Sequence, residues 1–582
     1  MFEPIEPLTI SEWSERYRYL SAESSSESGK YMIARAEYQR GMMDAISDPS
    51  IRRVVFMTSS QVGKTTLLEN IIGYFIHYEP SPILMVQPTL SMAQAFSKDR
   101  LSSMIRDCPI LTDKVKAPRE RDSGNTVLHK TFVGGHISLV GSNSTSSLAS
   151  RPIRVLLLDE VDRFEISASE GDVVNLASKR TTTFWNNKIV MVSTPTVKGL
   201  SRIEQEYELG DKRKFYVPCN NCSEEQVLEF KQVKFLKEKL NEAYYECRFC
   251  GDQWDDSRRW KAIRKGYWKA TGEPTGIASF HLSELYSSWS RLEDISRNFL
   301  EAKKLPETLK VFVNTSLGES WEDKGSGLDM ALNERTEDYT PDSIPNESLI
   351  ITAGIDVQGN RLEMSVMAVG LDEELFILDH IVLYGDPSTT TLWLKLDEEL
   401  KRTYKREDGK LMTITSACVD SGYYTNQVYS FCKSKVARRV YAIKGISGNK
   451  PLFPRRASIN NVMKCPLFTI GVDSAKDILL SRLKIEKHGS GYVHFPKHLD
   501  NEYFLQLQSE RIKTKFLKGI ATREWVQVRK RNEAWDCLVY AYASFISLNA
   551  NLEKIKESLE QAPKQQKNKP TFKKNFITDW RD

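Results

Sequence analysis

The feature that most constrains the fold is an apolar run that breaks into a polar turn, Val54-Val55-Phe56-Met57-Thr58-Ser59-Ser60-Gln61-Val62-Gly63-Lys64-Thr65-Thr66. Its first half predicts a buried strand, and the apolar residues after the turn recur at helical spacing. A strand, a turn and a helix in this order are typical of a phosphate-binding loop, which aims backbone N–H groups and a helix N-terminus at phosphate oxygens. In such a loop Lys64 supplies a positive charge and Thr65 a hydroxyl for Mg²⁺.

The loop pattern is incomplete, because Thr58 stands where the strict motif has a glycine. An ordinary turn is the competing interpretation, and the flanking strand and helix favour the phosphate loop. The predicted nucleotide-binding residues of the loop are Ser59, Ser60, Gln61, Val62, Gly63, Lys64, Thr65 and Thr66.

A second apolar run, residues 154–158, ends in the two carboxylates of Asp159 and Glu160. This pattern is typical of a Walker B strand, in which Asp159 holds the water shell of Mg²⁺ and Glu160 polarises the water that attacks the γ-phosphate. An acidic helix cap after a core strand is the alternative. A third run, residues 189–193, leads into Thr194-Pro195-Thr196, where small polar residues at a strand's end could sense the γ-phosphate.

Apolar runs near residues 54, 83, 137, 154 and 189 predict an open α/β sheet with its site at the carboxyl edge. Upstream of the loop, Tyr38 and Gln39 offer an aromatic ring and an amide that could stack on and hydrogen-bond a base. A helix surface explains these two residues equally well. The polar loop 141–147 faces the same predicted edge and is followed by Arg151 and Arg154.

The chain has 582 residues, which is too long for one core and suggests about three or four domains. It is 40% hydrophobic and 27% charged, with no apolar run long enough to span a membrane. The polar, acidic start favours the cytoplasm over secretion. The net charge is only +5 (82 minus 77), so contacts with nucleic acid must come from local basic patches.

Four of the nine cysteines form two Cys-x₂-Cys pairs, Cys219 with Cys222 and Cys247 with Cys250. Two such pairs predict a tetrahedral, structural Zn²⁺ site in a small ribbon, although the spacer between them is longer than usual. Free thiols are the alternative. Basic and aromatic residues beyond the ribbon, including Arg259 and Trp260, could face nucleic acid or form a solvated helix face.

A polar, proline-containing stretch, residues 334–348, predicts a linker, after which a new domain begins. Residues 350–358 predict a strand that carries Asp356, and a later strand ends at Asp420, whereas Asp536 falls in a predicted helix. Three carboxylates from two strands and a helix are typical of a two-metal nuclease of ribonuclease H type, which uses Mg²⁺ or Mn²⁺. Each aspartate alone is uninformative, and Asp473 and Asp477 are spare candidates.

Together these residues resemble the large terminase subunit of tailed bacteriophages, in its lambda-like branch. The resemblance rests on Ser-Gln-Val-Gly-Lys-Thr, Leu-Leu-Leu-Asp-Glu-Val-Asp-Arg, Ser-Thr-Pro-Thr, the paired cysteines and the three aspartates, and it spans residues 30–550. It implies an ATP-driven motor that translocates double-stranded DNA into a procapsid and cuts the concatemer. It also implies that Tyr38 and Gln39 contact adenine, that Ser193, Thr194 and Pro195 couple hydrolysis to motion, and that Asp356, Asp420 and Asp536 hold the nuclease metals.

The implied partners are double-stranded DNA, a small terminase subunit, the portal protein of the procapsid and further copies of this chain in a ring. The implied location is the cytoplasm of the host cell and, transiently, the procapsid. The expected division is an N-terminal segment with the adenine contact (1–50), a P-loop ATPase (51–210), a zinc ribbon and linker (211–345), a ribonuclease H-like endonuclease (346–550) and a basic, disordered tail (551–582).

One departure from the family pattern concerns Ser60, because many terminases carry an arginine there that stabilises charge on the phosphates. The missing arginine would come from Arg151 or from a neighbouring subunit, and both sources stay open. Two other functions compete with the motor: a helicase-nuclease or DNA-repair ATPase, and a zinc-dependent DNA-binding scaffold with degenerate sites.

Overall fold

The computed structural model describes residues 7–23, 25, 27–115, 125–144, 152–164, 172–322, 331–448, 450–459, 463–517 and 520–560. The chain divides into two compact units, residues 1–325 with 514–523 (unit 1) and residues 326–513 with 524–582 (unit 2). Arg151, residues 145–147 of the predicted loop and the predicted tail from residue 561 onward lie outside the described residues.

The secondary structure of unit 1 is built around one large sheet. Its strands are β1 Tyr19–Leu20, β2 Gly29–Lys30, β3 Arg53–Thr58, β4 Ile83–Gln87, β5 His129–Phe132, β6 Gly135–Gly141, β7 Val155–Asp159, β8 Lys188–Ser193, β9 Arg213–Pro218, β10 Glu225–Val227, β11 Val233–Leu236, β12 Lys239–Glu246, β13 Gln253–Trp254, β14 Tyr267–Lys269 and β15 Ile277–Leu282. Its helices are α1 Ile10–Tyr17, α2 Tyr38–Ser47, α3 Lys64–His77, α4 Leu90–Ala95, α5 Ser102–Asp107, α6 Pro109–Thr112, α7 Val173–Ser178, α8 Arg202–Leu209, α9 Asp256–Ile263, α10 Leu292–Ala302 and α11 Pro306–Phe312, with π-helical turns at Phe96–Leu101 and Val313–Leu317.

The large sheet of unit 1 has the order β10-β9-β15-β3-β8-β7-β4-β6-β5, with β14 paired to β9. The central strands from β15 to β6 run parallel. They are buried on both faces, so the sequence shows continuous apolar runs rather than alternation. Four of the strands, β9, β10, β14 and β15, come from beyond residue 210, and β15 pairs directly with β3.

The order of the strands in this sheet decides which side chains can meet. β8 lies between β3, which leads into the phosphate loop, and β7, which ends in the acid pair. The residues after β8 therefore lie next to both. Because parallel strands bring their carboxyl ends to one edge, the loop after β3, the residues after β8 and the acids of β7 share that edge.

Unit 2 contains a second sheet and the helices that cover it. Its strands are β16 Thr336–Glu337, β17 Ile350–Val357, β18 Arg361–Val369, β19 Leu375–Tyr384, β20 Thr403–Lys405, β21 Leu411–Asp420, β22 Val440–Ile446, β23 Ser458–Ile459, β24 Pro466–Gly471 and β25 Val493–Pro496. A separate antiparallel pair, β26 Glu510–Leu517 and β27 Ile520–Gln527, begins and ends in unit 2, and its residues 514–523 belong to unit 1. The helices are α12 Thr390–Glu399, α13 Thr425–Lys433, α14 Val472–Leu483, α15 Asn501–Leu507, α16 Glu533–Ser547 and α17 Leu552–Glu560.

The second sheet has the order β16-β25-β19-β18-β17-β21-β22-β24-β23, with β20 paired to β21. β17, β18 and β19 form an antiparallel meander, and β21, β22 and β24 continue in parallel from β17. Helix α16 packs across β17, β18 and β21. Gly354 makes this packing possible, because a Cβ there would lie 2.0 Å from the backbone oxygen of Cys537 on α16.

The smaller sheets are local. β11, β12 and β13 form a three-stranded ribbon. The second cysteine pair, Cys247 and Cys250, lies in the connection between β12 and β13. In the part of the chain that the structure describes, no helix has the length and apolar character needed to cross a bilayer.

Candidate ATPase and nuclease sites

The phosphate loop leaves β3 at Thr58 and enters α3 at Lys64, as predicted. Gly63 closes the turn with a φ of 77°, in the left-handed region that glycine adopts without strain. The loop is held from below, since the carbonyl oxygen of Val62 accepts hydrogen bonds from the Tyr38 hydroxyl at 3.3 Å and the Gln39 amide at 3.0 Å. Its backbone therefore has a fixed shape, and its amide groups can be aimed at an anion.

The start of the loop is fastened to the last segment of unit 1. The Ser60 N–H donates to the carbonyl oxygen of Thr315 at 2.8 Å, and its hydroxyl donates to the same oxygen at 3.2 Å. Ser59 donates its N–H to Leu282 on β15 at 2.9 Å. The π-helical turn Val313–Leu317 thus forms part of the loop's support.

A cleft of about 850 Å³ opens beside the loop. Its lining includes Gln39, Ser60, Gln61, Gly63, Lys64, Thr65, Thr66, Tyr31, Arg100 and Trp289. The loop residues Ser59 and Val62 are instead buried, and so is Tyr38, whose ring meets Phe215 edge-on. The cleft is large enough for a nucleotide and offers both aromatic faces and an amide to a base.

The acid pair at the end of β7 lies directly opposite the loop. Glu160 Oε1 is 2.8 Å from Lys64 Nζ, and Glu160 Oε2 accepts from the Thr194 hydroxyl at 3.4 Å. Asp159 accepts from the side-chain amide of Gln87 at 2.9 Å. Burial, together with the adjacent charge of Glu160, raises the pKa of Asp159 to about 6. A divalent cation beside Asp159 would offset this cost, and its carboxylate with the Thr65 hydroxyl is an oxygen donor set that suits Mg²⁺.

The backbone of Glu160 is itself unusual, with a φ of 56°. A non-glycine residue in the left-handed region is uncommon and is concentrated at functional sites. Here the turn directs the carboxylate back over the sheet edge toward Lys64, and the Glu160 N–H is anchored to Val192 of β8 at 2.7 Å.

The predicted coupling residues Ser193, Thr194 and Pro195 follow β8, between the loop and the acid pair. The next residue, Thr196, donates its hydroxyl to Asp162 at 2.8 Å and accepts at its carbonyl oxygen from the Trp321 N–H at 2.8 Å. Asp162 also accepts from the N–H of Ile203 at 2.8 Å, and burial raises its pKa. The coupling residues are therefore tied both to helix α8 and to the segment that holds the loop.

Two described arginines lie near enough to the cleft to supply the positive charge that Ser60 does not. Arg163 Nε lies 3.7 Å from Glu160 Oε2 with a side chain that is 61% exposed, and Arg100 lines the cleft. Arg154 is committed elsewhere, since it donates to Ser81 and Glu79. Sequence reasoning named Arg151 and overlooked Arg163, although Arg163 sits three residues after the acid pair.

The four predicted zinc ligands come together at the base of the ribbon. Their sulfur atoms all lie within 4.8 Å of one another, with Cys219 and Cys250 3.7 Å apart and Cys222 and Cys247 4.0 Å apart. Tetrahedral Zn²⁺ with bonds of about 2.3 Å separates its sulfur ligands by about 3.8 Å. The donor set and its dimensions therefore fit Zn²⁺. By contrast, Arg259 is buried and donates to the carbonyl oxygens of Leu285 and Ser290, so it does not face nucleic acid.

The nuclease candidates in unit 2 also converge. β17 and β21 are parallel neighbours with Ile355 opposite Val419, so the following residues, Asp356 and Asp420, stand side by side. Asp536 is in the first turn of α16, which packs on the same strands. Burial raises the pKa of Asp356 to about 7 and that of Asp536 to about 6, and it also raises the pKa of Asp420. Repulsion from Asp536 and Asp420 adds to the shift of Asp356.

One buried carboxylate, Asp356, and two partly buried ones, Asp420 and Asp536, form a hard oxygen donor set. A pair of divalent cations would offset their negative charge, so these residues fit Mg²⁺ or Mn²⁺. The spare candidates have other roles in the structure, since Asp473 accepts from the Gly448 N–H and Asp477 from the Trp525 indole.

Comparisons with known proteins match both the N-terminal and the C-terminal regions of the chain. The family model of the phage terminase large subunit gpA ATPase domain matches residues 25–268, and that of the terminase large subunit gpA endonuclease domain matches residues 277–557. The large terminase subunit of Enterobacteria phage P21 is 32% identical over 580 residues, covering 92% of this chain and 89% of that protein. The chain belongs to the large terminase subunit family of bacteriophages.

A second relative and one solved structure also match nearly the whole chain. The large terminase subunit of Escherichia phage lambda is 30% identical over 615 residues, covering 98% of this chain and 95% of that protein. The crystal structure of the HK97 bacteriophage large terminase covers 92% of this chain and 98% of that chain at 10% identity, with a TM-score of 0.36. That score adds nothing to the assignment, which rests on the sequence matches.

Membership in the terminase family confirms the ATPase and endonuclease domains, and with them the use of nucleotide and divalent metal ions. It also favours the DNA-packaging motor over a helicase-nuclease and over a scaffold with degenerate sites.

The terminase nuclease site contains charged residues that sequence reasoning missed. Lys476 on α14 lies 2.7 Å from Glu510 and 3.3 Å from Asp536. Glu363 stands opposite Asp356 on β18; burial raises its pKa, but hydrogen bonds from His380 and Arg361 outweigh this and bring it to about 2. Glu363 was detectable as an acid inside an apolar strand, whereas nothing in the sequence links Lys476 to Asp536.

Proposed function

We propose that this large terminase subunit hydrolyses ATP between Lys64 and Glu160 to move double-stranded DNA into a procapsid, and that it cuts the DNA with a metal centre at Asp356, Asp420 and Asp536. The observation that carries the motor half is the 2.8 Å contact of Lys64 with Glu160 beside a nucleotide-sized cleft. A cation and a free acid at one sheet edge are what phosphoryl transfer to water requires.

In the proposed reaction, the loop amides and Lys64 bind the β- and γ-phosphates, while Asp159 and Thr65 hold Mg²⁺. Bound Mg²⁺ supplies charge stabilisation to the phosphate oxygens. When ATP enters the cleft, the Lys64 ammonium group leaves Glu160 and contacts the phosphates instead. Glu160 is then free to orient the attacking water and to accept its proton.

The same contacts suggest how hydrolysis is coupled to motion. Thr194 donates to Glu160, so a change at the acid reaches the coupling residues directly. Thr196, two residues later, is bonded to Trp321, and the segment before Trp321 binds Ser60 through Thr315. Both sides of the γ-phosphate position are therefore linked to one segment at the end of unit 1, which is the element we expect to move.

The adenine contact of Tyr38 and Gln39 stays a prediction, because both side chains are buried and the Gln39 amide bonds to Val62 and Tyr31. We propose that the pair shapes the nucleobase site from beneath the loop, and that Trp289, which lines the cleft, offers its aromatic face to the ring. The four cysteines hold one structural Zn²⁺, which closes the ribbon and leaves no open position for chemistry.

In the nuclease half, Asp356, Asp420 and Asp536 act as ligands, and the metals supply an activated water and stabilise the leaving oxygen when bound. The arrangement of β17, β18, β19, β21 and α16 supports a ribonuclease H type of domain. Lys476 and Asn532 hold Asp536 in place, since Asn532 donates to it at 2.8 Å.

The domain division belongs to the proposal as well: an N-terminal segment (1–50), a motor (51–210) completed by β9, β10, β14 and β15, a ribbon and linker within 211–345, an endonuclease (346–550) and a tail (551–582). Within the linker range, residues 336–337 form β16 and join the endonuclease sheet. Family membership supports the remaining partners, namely a small terminase subunit, a portal protein and further copies in a ring on the procapsid, in the cytoplasm of the host cell.

The experiment compares Lys64→Ala, Glu160→Gln and the surface control Glu208→Gln for nucleotide affinity, ATP turnover and DNA packaging. Glu160→Gln should bind ATP normally and lose turnover by about 10²- to 10³-fold, because it removes the base and leaves the phosphate contacts. Lys64→Ala should lose both affinity and turnover. Normal turnover in Glu160→Gln would rule out this motor site.

A further inference from the structure

Unit 2 contains a second cluster of metal-ligating side chains. It lies at the β16 edge of the sheet, the end farthest from β23. Glu337 on β16, His494 on β25 and His488 in the loop before β25 have candidate ligand atoms that all lie within 4.8 Å of one another. Glu337 Oε1 is 2.7 Å from His494 Nδ1 and 3.7 Å from His488 Nε2. Three strands separate β16 from β17, so this cluster is distinct from the nuclease acids.

The dimensions of the cluster match a small coordination shell. Zn²⁺ binds imidazole nitrogen and carboxylate oxygen at about 2.0–2.2 Å, which places two ligands of a tetrahedron about 3.4 Å apart. The observed separations of 2.7 Å and 3.7 Å lie on either side of this value. Small rotations of Glu337 and of the exposed His488 side chain would bring all three atoms to one ion.

The surroundings of His494 fix which nitrogen faces the cluster. Its Nε2 lies 2.9 Å from Glu374, and its ring stacks on Phe376 with centroids 4.3 Å apart. A histidine that donates one N–H to a carboxylate and presents its other nitrogen to a cation is the usual arrangement around protein-bound zinc. Glu374 also accepts from the N–H of Gly489 at 3.1 Å, so the same carboxylate orients the loop that carries His488.

The Glu337 oxygen lies 2.7 Å from Nδ1 of His494, on the side of the ring that Glu374 leaves open. A hydrogen bond between these two side chains, with the His488 ring packed on Tyr492 at 4.5 Å between centroids, is the competing explanation.

We propose that Glu337, His488 and His494 bind one Zn²⁺ ion, with water in the fourth position, and that this ion fastens β16 and the loop before β25 to the edge of the nuclease sheet. β16 is only two residues long, so its backbone pairing with β25 is a weak attachment by itself. The site would be a structural clamp in addition to the cysteine site of unit 1.

The test counts zinc in the full-length Asp356→Asn protein, which removes binding at the nuclease acids, after dialysis in excess Mg²⁺. Two Zn²⁺ per chain are expected. His488→Ala should lose one, whereas the matched control His498→Ala should keep both, because His498 lies beside Asp379 and outside the cluster. His488 is 66% exposed, so its replacement leaves the fold intact. Cys219→Ser should lose the other ion, which separates the two sites.

Two further readouts depend on the cluster alone. In the Cys219→Ser protein, Co²⁺ at the cluster should give a visible ligand-field absorption that His488→Ala removes, whereas any Co²⁺ held by the three remaining cysteines is recognised by its thiolate charge-transfer band and should not change. Zn²⁺ at about 100 times its Kd should raise the unfolding temperature of unit 2 by roughly 5 °C in the same background, and by nothing after His488→Ala. An unchanged zinc count and an unchanged Co²⁺ spectrum in His488→Ala would overturn the proposal.

Discussion

The two catalytic regions of this terminase solve the same problem, holding carboxylates at a buried edge, in opposite ways. In unit 1 the acids Asp159 and Glu160 are adjacent on one strand, and the chain itself supplies Lys64 at 2.8 Å. In unit 2 the acids come from β17, β21 and α16, and among the described residues no basic side chain lies within ion-pair distance of Asp356 or Asp420. Glu160 of the motor site is therefore paired with Lys64 before any metal binds, whereas in the nuclease site only Asp536 has a basic neighbour, Lys476 at 3.3 Å.

This difference has consequences for control. A site that carries its own cation can keep its geometry through repeated cycles of nucleotide exchange, as a motor must. A site that depends on divalent ions for its charge balance is competent only when they are bound. Without them, burial and then repulsion from Asp536 and Asp420 raise the pKa of Asp356. Dependence on metal makes DNA cleavage conditional on the binding of divalent ions, whereas the pairing of Lys64 with Glu160 in the motor site is not conditional in this way.

The largest effect is expected from removing one charge of the nuclease site. Asp356→Asn keeps the shape of the side chain but removes a ligand that both metals need, so DNA cleavage should fall by about 10³-fold or more. ATP turnover should stay unchanged, because Lys64 and Glu160 belong to a separate core. Cleavage of double-stranded DNA in Mg²⁺ or Mn²⁺ and ATP hydrolysis are measured on the same preparation.

The matched control for this variant is Asp477→Asn, which changes a nearby acid that accepts from Trp525. It should retain cleavage, and Asp356→Asn should still package DNA that has been cut beforehand. A parallel fall of ATP turnover in Asp356→Asn would break the comparison between an autonomous motor site and a metal-dependent nuclease site.

The second prediction concerns the helix that carries the third acid. A Cβ at Gly354 would lie 2.0 Å from the Cys537 oxygen and 2.3 Å from the Ala541 nitrogen, so Gly354→Ala must push α16 off β17. Unit 2 should lose about 3 kcal/mol of stability, and cleavage should fall by about 10²-fold because Asp536 moves away from Asp356. Thermal unfolding and cleavage rates measure both effects.

Gly359→Ala serves as the control for Gly354→Ala, since its Cβ would meet only the Tyr423 ring, at 3.8 Å. It should leave stability and cleavage unchanged. If Gly354→Ala cleaves DNA at the normal rate, the close contact of α16 with the sheet does not set the geometry of the acids.

Both α/β sheets, the phosphate loop and the position of the acids at strand ends were predictable from the sequence. They follow from local patterns: continuous apolar runs, a glycine before a lysine, and carboxylates at the point where a run stops. The paired cysteines were equally visible, because metal ligands of one type recur at fixed spacing.

The partners that tune these acids could not be predicted, because they come from distant parts of the chain. Gln87 reaches Asp159 from a neighbouring strand, Thr315 holds Ser60 from about 250 residues away, and Lys476 reaches Asp536 from another helix. The sequence also gave no sign that Tyr38 is buried beneath the loop, since an aromatic residue early in a helix fits a surface or a core. Only the packing of the elements decides such cases.

The smallest effect is a dependence of stability on pH that should occur in unit 2. Burial raises the pKa of Asp356 to about 7, so between pH 4 and pH 7 the folded chain binds more protons than the unfolded chain. Stability must therefore fall as the pH rises through this range, by about 1–2 kcal/mol without divalent ions. Denaturant unfolding of wild type at pH 5 and pH 8 measures the fall, which Asp356→Asn should reduce and saturating Mg²⁺ should remove at pH 8. An equal fall in wild type and Asp356→Asn would show that Asp356 is already ionised in the metal-free site, and the contrast with the balanced Lys64 and Glu160 pair would then disappear.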